Sequence, residues 1–458
     1  MIRITLTITD QVAAQLDEMA RHELESAGVL VAGLGRSEDE VRLLGRQFIA
    51  APPESYLDRT STRLRLDSAA WMLAVKRAAV VGGAVALFVH THPGAEPSPS
   101  VYDDVVDEQL RPVFETRLGK PLYGSLVLHG TTAGVEFSGR LWEGQHLLGP
   151  IELVRQVGRR LVFTSAIDSP SPAPPSAIFD RQVRAFGPAF QQLFEKLHIG
   201  IVGAGGTGSA VGEQLARLGV GRITIIDDKT VDATNITRIY GSGLGDVGRP
   251  KVDVFADSVT RIGLGTQVRP IKDRITSLAA AKALRSCDVV FGCTDDLRGR
   301  AILCRLAYWY LIPVFDVGFL IDSVGGVVRG LEGRVTTMLP GTACLQCLKV
   351  IDPIRLTAEQ LPAQERQARI AEGYAPELDH RDPAVITYTT MVASWAINEL
   401  IERIEGFGDR APFELHVRAH ERKISTSSTP PDPRHFCAQP ERWGAGDEAP
   451  FLGRSLWD

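Results

Sequence analysis

The sequence has few lysines, no long apolar segment and no concentration of charge of one sign. Nine of its basic residues are lysines and forty-one are arginines, a bias that a GC-rich genome explains most simply. No stretch of eighteen apolar residues is present, which argues against a membrane-spanning helix. The net charge of -5 is spread evenly, so we expect neither nucleic acid nor a membrane as a partner. The first residues lack the apolar centre of a signal peptide, which favours a cytoplasmic protein.

Cysteine is also scarce, with six residues in 458. In the cytoplasm these should be thiols or metal ligands rather than disulfides. Cys344 and Cys347 form a C-x-x-C motif, which is half of a structural zinc site. His435 and Cys437 can supply the other half, giving a Cys₃His site that would pin the C-terminal segment to the second domain. The other cysteines are predicted to pack in the core: Cys287, Cys293 and Cys304.

The length of the chain predicts two or three domains. The clearest break is the stretch 165–176, whose many Pro and Ser residues favour an extended polyproline-type geometry over a packed core. We therefore predict a first domain over residues 1–145, a linker region over 146–178 and a second domain over 179–458.

The most informative motif of the first domain is H-x-H-x₇-S-x₂-D, formed by His90, His92, Ser100 and Asp103. The apolar residues 84–89 before it predict a buried strand. Residues two apart on a strand project from the same face, so both histidines can reach one metal ion. Asp103 would be the third protein ligand. Three protein ligands and one open position are typical of a catalytic zinc.

Together with Glu25, which lies upstream in the stretch E-S-A-G-V-L, these residues resemble the JAMM/MPN metallopeptidase family over residues 1–142. Members of that family cleave the isopeptide bonds of ubiquitin and related modifiers. The resemblance implies zinc ligands at His90, His92 and Asp103, a general base at Glu25 and an oxyanion donor at Ser100. Zinc lowers the pKa of a water that it holds to about 7, which suits these roles. The alternative is a domain that keeps these residues and only docks a partner.

Early in the second domain, residues 197–202 predict a buried strand that runs into G-A-G-G-T-G and a helical segment. This G-x-G-x-x-G pattern lets the backbone approach a phosphate at a helix N-terminus. Its glycines are Gly203, Gly205, Gly206 and Gly208. Asp227 follows the next predicted strand, where a carboxylate can bind ribose hydroxyls. Alone, this pattern would favour a dinucleotide cofactor such as NAD.

The residues after Asp227 resemble the ThiF/HesA/MoeB superfamily, which includes the ubiquitin-activating enzymes. They read D-D-K-T-V-D-A-T-N-I-T-R and, further on, G-R-P-K, and the resemblance spans about 179–348. Members bind ATP and Mg²⁺ and adenylate the C-terminal carboxylate of a small β-grasp protein. The resemblance implies that the loop 203–208 binds phosphates and that Asp227 binds the ribose. It implies that the triphosphate contacts Asn235, Arg238 and Lys251. It also implies that Asp295 binds Mg²⁺ and that Arg181 reaches the γ-phosphate held by a neighbouring subunit.

This set of residues fits adenylation physically. Attack of a carboxylate on the α-phosphate brings two anions together, so the site must screen charge and align the reactants. Cationic side chains and a carboxylate that holds Mg²⁺ supply both functions. One departure is Ile239, which follows Arg238 where the family usually has glutamine. A NAD-dependent oxidoreductase is the distant alternative for this domain.

Ubiquitin-activating enzymes normally transfer the acyl group to a cysteine before their last helices, but residues 351–390 contain no cysteine. Glu377–His380 lie near the expected place. Either the adenylate passes directly to a downstream carrier, such as a conjugating-enzyme-like protein, or another group accepts it as an ester. Nearby hydroxyl groups are more simply interpreted as helix-packing residues: Thr387, Thr389, Thr390 and Ser394.

The two resemblances together predict an α/β protein with an MPN/JAMM-like domain followed by a Rossmann-like adenylation domain with a mainly parallel sheet. They imply an enzyme that activates a ubiquitin-like β-grasp protein with ATP and Mg²⁺ and trims or removes it with Zn²⁺. The arrangement resembles bacterial ubiquitin-like conjugation systems, including those linked to phage defence. The implied role of Arg181 across an interface favours a homodimer. Two alternatives stay open: an activating enzyme with a silent docking domain, and an activator for sulfur transfer or peptide modification.

Overall fold

The computed structural model describes residues 2–81, 85–359, 365, 383–408, 413–454 and 457. The chain divides into two compact units, each with helices packed on a β-sheet, which confirms the predicted α/β class. The first unit comprises Met1–Ser171, Trp309–Leu311 and Pro440–Gly453, and the second comprises most of the remainder. Among the described residues, no helix is both long and apolar enough to cross a bilayer.

The first unit is built on one large sheet. The strands of this unit are β1 (Arg3–Thr9), β2 (Ala27–Arg36), β3 (Glu40–Ala50), β4 (Tyr56–Arg59), β5 (Leu64–Leu66), β6 (Val85–Thr91), β7 (Leu122–Gly130), β8 (Val135–Glu143), β9 (His146–Val157) and β10 (Leu161–Ser165). Its helices are α1 (Asp10–Ala20), α2 (Ala69–Val81) and α3 (Val101–Leu118). The sheet order is β1-β3-β2-β6-β7-β8-β9-β10, and β1 also pairs with β9, which closes the sheet. β4 and β5 form a separate hairpin.

The centre of this sheet positions the histidine motif. Every residue of β6 is buried, as expected for a strand of apolar residues with neighbours on both sides. β6 runs antiparallel to β2, and Ala27 pairs with His90. The backbone just before β2 therefore lies beside the end of β6, where the motif begins.

Two boundaries predicted from the sequence were wrong. Residues 146–165 are not linker, because β9 and β10 belong to the first sheet. The tail Pro440–Gly453 is not part of the second unit as predicted, because it packs within the first. There the Asp447 carboxylate accepts hydrogen bonds from the Arg36 amide, at 2.6 Å, and from the Tyr310 hydroxyl.

The second unit contains a second eight-stranded sheet. Its strands are β11 (His198–Val202), β12 (Arg222–Ile226), β13 (Gln267–Ile271), β14 (Val289–Gly292), β15 (Val314–Val324), β16 (Val327–Met338), β17 (Glu414–Arg418) and β18 (Lys423–Ser427). The helices along this part of the chain are α4 (Asp180–Phe186), α5 (Pro188–Phe194), α6 (Gly206–Arg217), α7 (Lys251–Ile262), α8 (Leu278–Ala283), α9 (Leu297–Trp309), α10 (Pro353–Glu359) and α11 (Ile386–Glu405).

The order of this sheet is β13-β12-β11-β14-β15-β16-β17-β18. The pairings from β13 to β15 are parallel and those from β15 to β18 are antiparallel. The chain order reverses at β11, which lies between β12 and β14. In open α/β sheets, ligands bind at such a switch point, beyond the carboxyl ends of the strands.

A buried ion network stabilises the first sheet around Glu40. Its carboxylate accepts hydrogen bonds from Arg155 and Arg42, each at 2.8 Å, and from the Thr5 hydroxyl at 2.7 Å. The side chains of Glu40, Arg42 and Arg155 are only 2–3% exposed. Burial by itself raises the pKa of Glu40, but Arg155, Arg42 and Arg3 outweigh that effect and lower the pKa below its ordinary value.

We expect Glu40→Gln to lower the free energy of unfolding of the first unit by about 3–5 kcal/mol at neutral pH, because it leaves buried guanidinium groups without their counter-charge. The contribution of a group whose pKa is lowered in the folded state is present above its unfolded pKa and is lost as the pH falls. The difference between variant and wild type should therefore shrink below about pH 4. Urea denaturation across this pH range measures it. Glu143→Gln is the control, since the Glu143–Arg36 pair is about 40% exposed and should contribute less than about 1 kcal/mol.

Candidate functional site

Three potential metal ligands of the first unit converge at the end of β6. His90 lies on β6, His92 follows it, and Asp103 lies in the first turn of α3. The two histidine Nε2 atoms are 3.3 Å apart, and His90 Nε2 is 2.9 Å from Asp103 Oδ1. One nitrogen from each histidine and one carboxylate oxygen lie within 4.8 Å of one another. Two imidazole nitrogens and one carboxylate oxygen suit zinc and leave one coordination position open.

Ser100 and Asp103 fix each other at the start of α3. Asp103 Oδ2 accepts a hydrogen bond from the Ser100 amide at 2.6 Å, and Ser100 Oγ accepts one from the Asp103 amide at 3.3 Å. This capping box holds one carboxylate oxygen while the other faces His90. Burial opposes the ionisation of Asp103, but hydrogen bonds from His90 and Ser100 lower its pKa below its ordinary range. Because the Ser100 hydroxyl oxygen serves as an acceptor, its proton is available to a ligand.

Glu25 lies just before β2 and is 8% exposed. Its neighbour Ser26 accepts a hydrogen bond from the Thr91 amide at 3.0 Å, which places this segment beside the histidine motif. Burial raises the pKa of Glu25, the nearby His90 lowers it and Asp103 raises it, with a net increase. Glu25 is therefore a buried carboxyl group close to His90 and Asp103.

The second unit has a cavity of about 760 Å³ beyond the carboxyl ends of β11, β12 and β14. The predicted nucleotide-binding residues on its wall are Gly203, Gly205, Gly206, Asp227, Asn235, Arg238, Lys251 and Asp295. Its volume is suited to a small-molecule cofactor. The cavity therefore brings together most of the residues that the sequence had placed at a nucleotide site, whereas Gly208 and Arg181 do not line it.

Gly203 and Gly208 shape the loop that borders this cavity. Gly203 has a φ of +99°, a conformation that side chains rarely adopt. A Cβ atom on Gly208, which is buried in α6, would lie 1.8 Å from the Gly203 carbonyl oxygen. Both positions thus require glycine.

Asp227 stabilises the same loop, because its carboxylate accepts hydrogen bonds from the amides of Ala204, at 2.7 Å, and Lys229, at 2.8 Å.

Three helices begin at the cavity, and none has a side-chain cap. Their N-caps are Gly205 for α6, Pro250 for α7 and Val385 for α11, none of which makes a capping side-chain hydrogen bond. The first turn of each helix contributes to the wall through Gly206, Lys251 and Thr389 respectively. The first turn of a helix without a side-chain cap carries positive potential, which attracts anions, although the amide of Lys251 already donates to the Lys229 carbonyl at 3.0 Å.

Lys251 adds a buried cation to these helix termini. It is 9% exposed, and burial lowers its pKa, although Asp227 has the opposite effect. Lys229 and Arg238 lower its pKa further, because they are cations nearby. An anion in the cavity would offset this concentration of positive charge.

Two adjacent aspartates at the cavity differ in what they bind. Asp296 accepts hydrogen bonds from the amides of Arg298, at 3.2 Å, and Gly299, at 2.9 Å, so it caps the start of α9. Asp295 lines the cavity, where its charge raises the pKa of the nearby Lys251, and its carboxylate makes no hydrogen bond within the described part of the chain. Asp295 is therefore the carboxylate of this pair that is available to Mg²⁺, a cation that prefers oxygen ligands.

Arg181 is separate from these residues. It lies on α4, is exposed, and does not line the cavity of its own chain. The structure thus does not bring this predicted residue to the nucleotide site within one chain.

The four residues of the predicted Cys₃His site converge in the second unit. Their ligand atoms lie within 4.8 Å of one another. His435 Nδ1 is 3.4 Å from Cys344 Sγ and 3.3 Å from Cys437 Sγ, and Cys347 Sγ is 3.5 Å from Cys437 Sγ. Hydrogen bonds from Cys304 and Cys437 lower the pKa of Cys344, which favours a thiolate. The donor set and its partial burial fit a closed structural zinc site.

The sequence did not reveal the residues that support these groups. Gln346 Oε1 is 2.7 Å from His435 Nε2, so it can hold the tautomer whose Nδ1 faces the sulfur atoms. The position of Gln346 inside the C-x-x-C motif was the sequence feature that could have indicated this contact. The hairpin residue Arg59 contacts the backbone of Glu25, and no sequence pattern indicated this. Glu377–His380, near the position of the family cysteine, lie outside the described residues.

The chain is similar to several adenylyltransferases. It is 29% identical to the SAMP-activating enzyme E1 of Haloferax volcanii over 162 residues, 35% of this chain and 57% of the relative. It is 30% identical to the molybdopterin-synthase adenylyltransferase of Escherichia coli over 174 residues, 37% of this chain and 66% of the relative. The matched regions thus span 57% and 66% of these curated relatives. A crystal structure of Escherichia coli MccB with MccA-N7isoASN matches with a TM-score of 0.47 and 17% identity, over 58% of this chain and 75% of that one.

Two family matches divide the chain in the same way as its motifs. Residues 8–138 match the prokaryotic homologs of the JAB domain. Residues 179–437, more than half of the chain, match the ThiF family. The chain therefore belongs to the ThiF family of E1-like adenylyltransferases and carries a prokaryotic JAB domain at its N-terminus.

Proposed function

We propose that the second unit uses ATP and Mg²⁺ to adenylate the C-terminal carboxylate of a ubiquitin-like β-grasp protein. The observation that carries this proposal is the convergence of three uncapped helix N-termini, buried Lys251 and the Asp295 carboxylate on one cavity. Such a cavity suits a polyanion accompanied by a divalent cation. The adenylyltransferase relatives support the same chemistry.

In the proposed reaction, a carboxylate oxygen of the partner attacks the α-phosphorus of ATP. The bond from that phosphorus to the oxygen bridging to the β-phosphate breaks, and pyrophosphate leaves with the electron pair. The loop 203–208 and the α6 N-terminus would hold phosphates, and Lys251 with Arg238 would offset their charge. Asn235, which is 7% exposed at the cavity, would contribute to triphosphate binding, and Asp227 would contact the ribose.

The partner is proposed from the relatives, whose names include SAMP-activating and molybdopterin-synthase enzymes. A homodimer is proposed because Arg181 is exposed and away from its own cavity, where it could reach the γ-phosphate bound by a second copy. A conjugating-enzyme-like carrier is proposed as the acceptor of the acyl group. Transfer to sulfur instead would make the protein an activator for sulfur transfer.

Intact-mass spectrometry can test this proposal with candidate ubiquitin-like proteins incubated with the full chain, ATP and Mg²⁺. The expected result is an AMP adduct at the partner's carboxyl terminus and release of pyrophosphate. An acyl sulfide as the stable product, in the presence of a sulfur donor, would favour the sulfur-transfer alternative. Absence of ATP binding together with NADH binding would contradict adenylation.

We propose in addition that the first unit is a zinc-dependent isopeptidase or processing peptidase for the same modifier. The convergence of His90, His92 and Asp103, with Glu25 beside them, supports this role. His90, His92 and Asp103 would hold zinc, which would lower the pKa of a bound water. Glu25 would accept the proton of that water as its oxygen attacks the scissile carbonyl and would pass the proton to the leaving amine, while Ser100 would donate a hydrogen bond to the developing oxyanion. The test is the amount of conjugate in cells that make wild-type or His92→Ala protein. Conjugates should accumulate in the variant if the unit removes the modifier, and unprocessed precursor should replace them if the unit matures it. Equal amounts of conjugate and no precursor would favour a domain that only docks a partner.

A further inference from the structure

The hairpin of β4 and β5 holds the backbone of the proposed general base. The Glu25 amide donates a hydrogen bond to the Thr60 carbonyl at 2.8 Å. Arg59 Nε donates to the Glu25 carbonyl at 2.7 Å, and a terminal nitrogen of the same guanidinium donates to the Ser26 hydroxyl. Both backbone polar groups of Glu25 are therefore satisfied by one hairpin.

Tyr56 extends this arrangement to the next residue. Its hydroxyl accepts a hydrogen bond from the Ala27 amide at 3.1 Å. Its ring lies under the Arg59 guanidinium carbon, which is 4.5 Å from the ring centroid. The tyrosine thus fixes both the segment and the arginine that holds it.

The sheet alone does not fix Glu25 in this way. β2 begins at Ala27, so the strand ladder starts two residues after Glu25. A catalytic group that is displaced by about 1 Å can lose about 10²-fold in rate. The position of the Glu25 carboxylate therefore depends on contacts outside the ladder, and those to Arg59 and Thr60 are the ones that the backbone of Glu25 makes.

We propose that Arg59 is a positioning residue for Glu25, acting through the Glu25 carbonyl and the Ser26 hydroxyl. This inference rests on the proposed function of the first unit. Arg59 makes no hydrogen bond to the three metal ligands in the described structure, so its loss should leave the metal bound. Removing it should instead impair the step in which Glu25 accepts a proton.

Binding of acetohydroxamic acid to the zinc-loaded full chain tests the inference without knowledge of the substrate. A hydroxamate binds zinc as an anion, and an adjacent carboxylate accepts the proton that it releases. Isothermal titration calorimetry at several pH values would compare wild type with Arg59→Ala, Arg59→Lys and Glu25→Gln. We expect Glu25→Gln to weaken binding by about 100-fold and Arg59→Ala by about 10-fold, with unchanged zinc content.

Arg59→Lys should recover part of the affinity, because an ammonium group can still donate to the Glu25 carbonyl. Arg63→Ala is the matched control, since Arg63 lies next to the same hairpin, is 69% exposed and pairs with Asp58 instead. Tyr56→Phe, which removes the hydroxyl that accepts from Ala27, should weaken binding in the same direction by a smaller factor. The affinity of Tyr56→Phe tests the same inference independently if Arg59→Ala unfolds the hairpin.

The outcomes separate the two proposals. Wild-type affinity in Arg59→Ala and Tyr56→Phe, with weak binding in Glu25→Gln, would overturn the role of Arg59 and leave the proposed peptidase site intact. No binding to wild type, or equal binding to Glu25→Gln, would overturn the peptidase site itself. Loss of zinc from Arg59→Ala with unchanged binding in Tyr56→Phe would show a structural role and contradict positioning of the base.

Discussion

Asp295→Asn is expected to reduce formation of the acyl adenylate by roughly 10²–10³-fold, because the reaction loses the carboxylate that holds Mg²⁺ at the phosphates. The carboxylate lines the nucleotide cavity and has no hydrogen-bond partner among the described residues, so its charge can interact with a cation bound there. The amide of asparagine has almost the same shape and no charge. Release of pyrophosphate, measured over a range of Mg²⁺ concentrations, should show the loss at every concentration.

Asp296→Asn is the matched control for this prediction. Asp296 caps α9 through the amides of Arg298 and Gly299, and asparagine is an equally good N-cap. We expect the control to keep most of the adenylation rate and to change stability by less than about 1 kcal/mol. Equal losses in both variants would show that the negative charge of the pair, rather than the free carboxylate of Asp295, matters.

Cys437→Ser is expected to release the zinc of the Cys₃His cluster and to lower the stability of the second unit by several kcal/mol. A closed zinc site contributes its metal-binding free energy to folding, about 10–16 kcal/mol in small zinc domains. The larger second unit has its own buried core, so a smaller part of this contribution should be lost. Thermal unfolding with and without added zinc measures the effect, and the melting temperature of the variant should not respond to zinc.

Cys287→Ala provides the control for loss of a buried thiol. Cys287 is fully buried and lies outside the cluster, so this change should lower stability through a small cavity while the zinc remains. Retention of zinc by Cys437→Ser would contradict the proposed ligand set. In that case Gln346, which approaches His435, would be the next residue to examine.

The sequence predicted the elements that carry strong local patterns. The apolar runs 85–89 and 199–202 end directly before His90 and Gly203, and the structure places their strands, β6 and β11, in the interior of their sheets. The glycines at 203 and 208 were identifiable because only glycine fits a loop with positive φ and close backbone contacts. The relative positions of the site residues could not be predicted from the sequence, because they depend on strand pairings such as that of Ala27 with His90.

The features that the sequence did not predict depend on contacts between residues that are far apart in the chain. β9 contains Pro150 opposite Arg140, and its first residues are largely exposed, so no alternation marks it as a strand. The tail Pro440–Gly453 joins the first unit through contacts of isolated residues, such as the hydrogen bonds of Asp447, the ion pair of Glu448 with Arg46 and the buried side chain of Leu452. Such contacts leave no periodic signal in the sequence. Arg59 is likewise one arginine among many, and only the folded hairpin brings it to Glu25.

The most direct test of the proposed pair of zinc sites is the number of zinc ions per chain. Elemental mass spectrometry measures this number for wild type, His92→Ala and Cys437→Ser. The two clusters share no residue, so each substitution should affect one site only. We predict two zinc ions in the wild type and one in each variant. One zinc in the wild type, unchanged by His92→Ala, would contradict the peptidase site and leave the first unit as a docking domain.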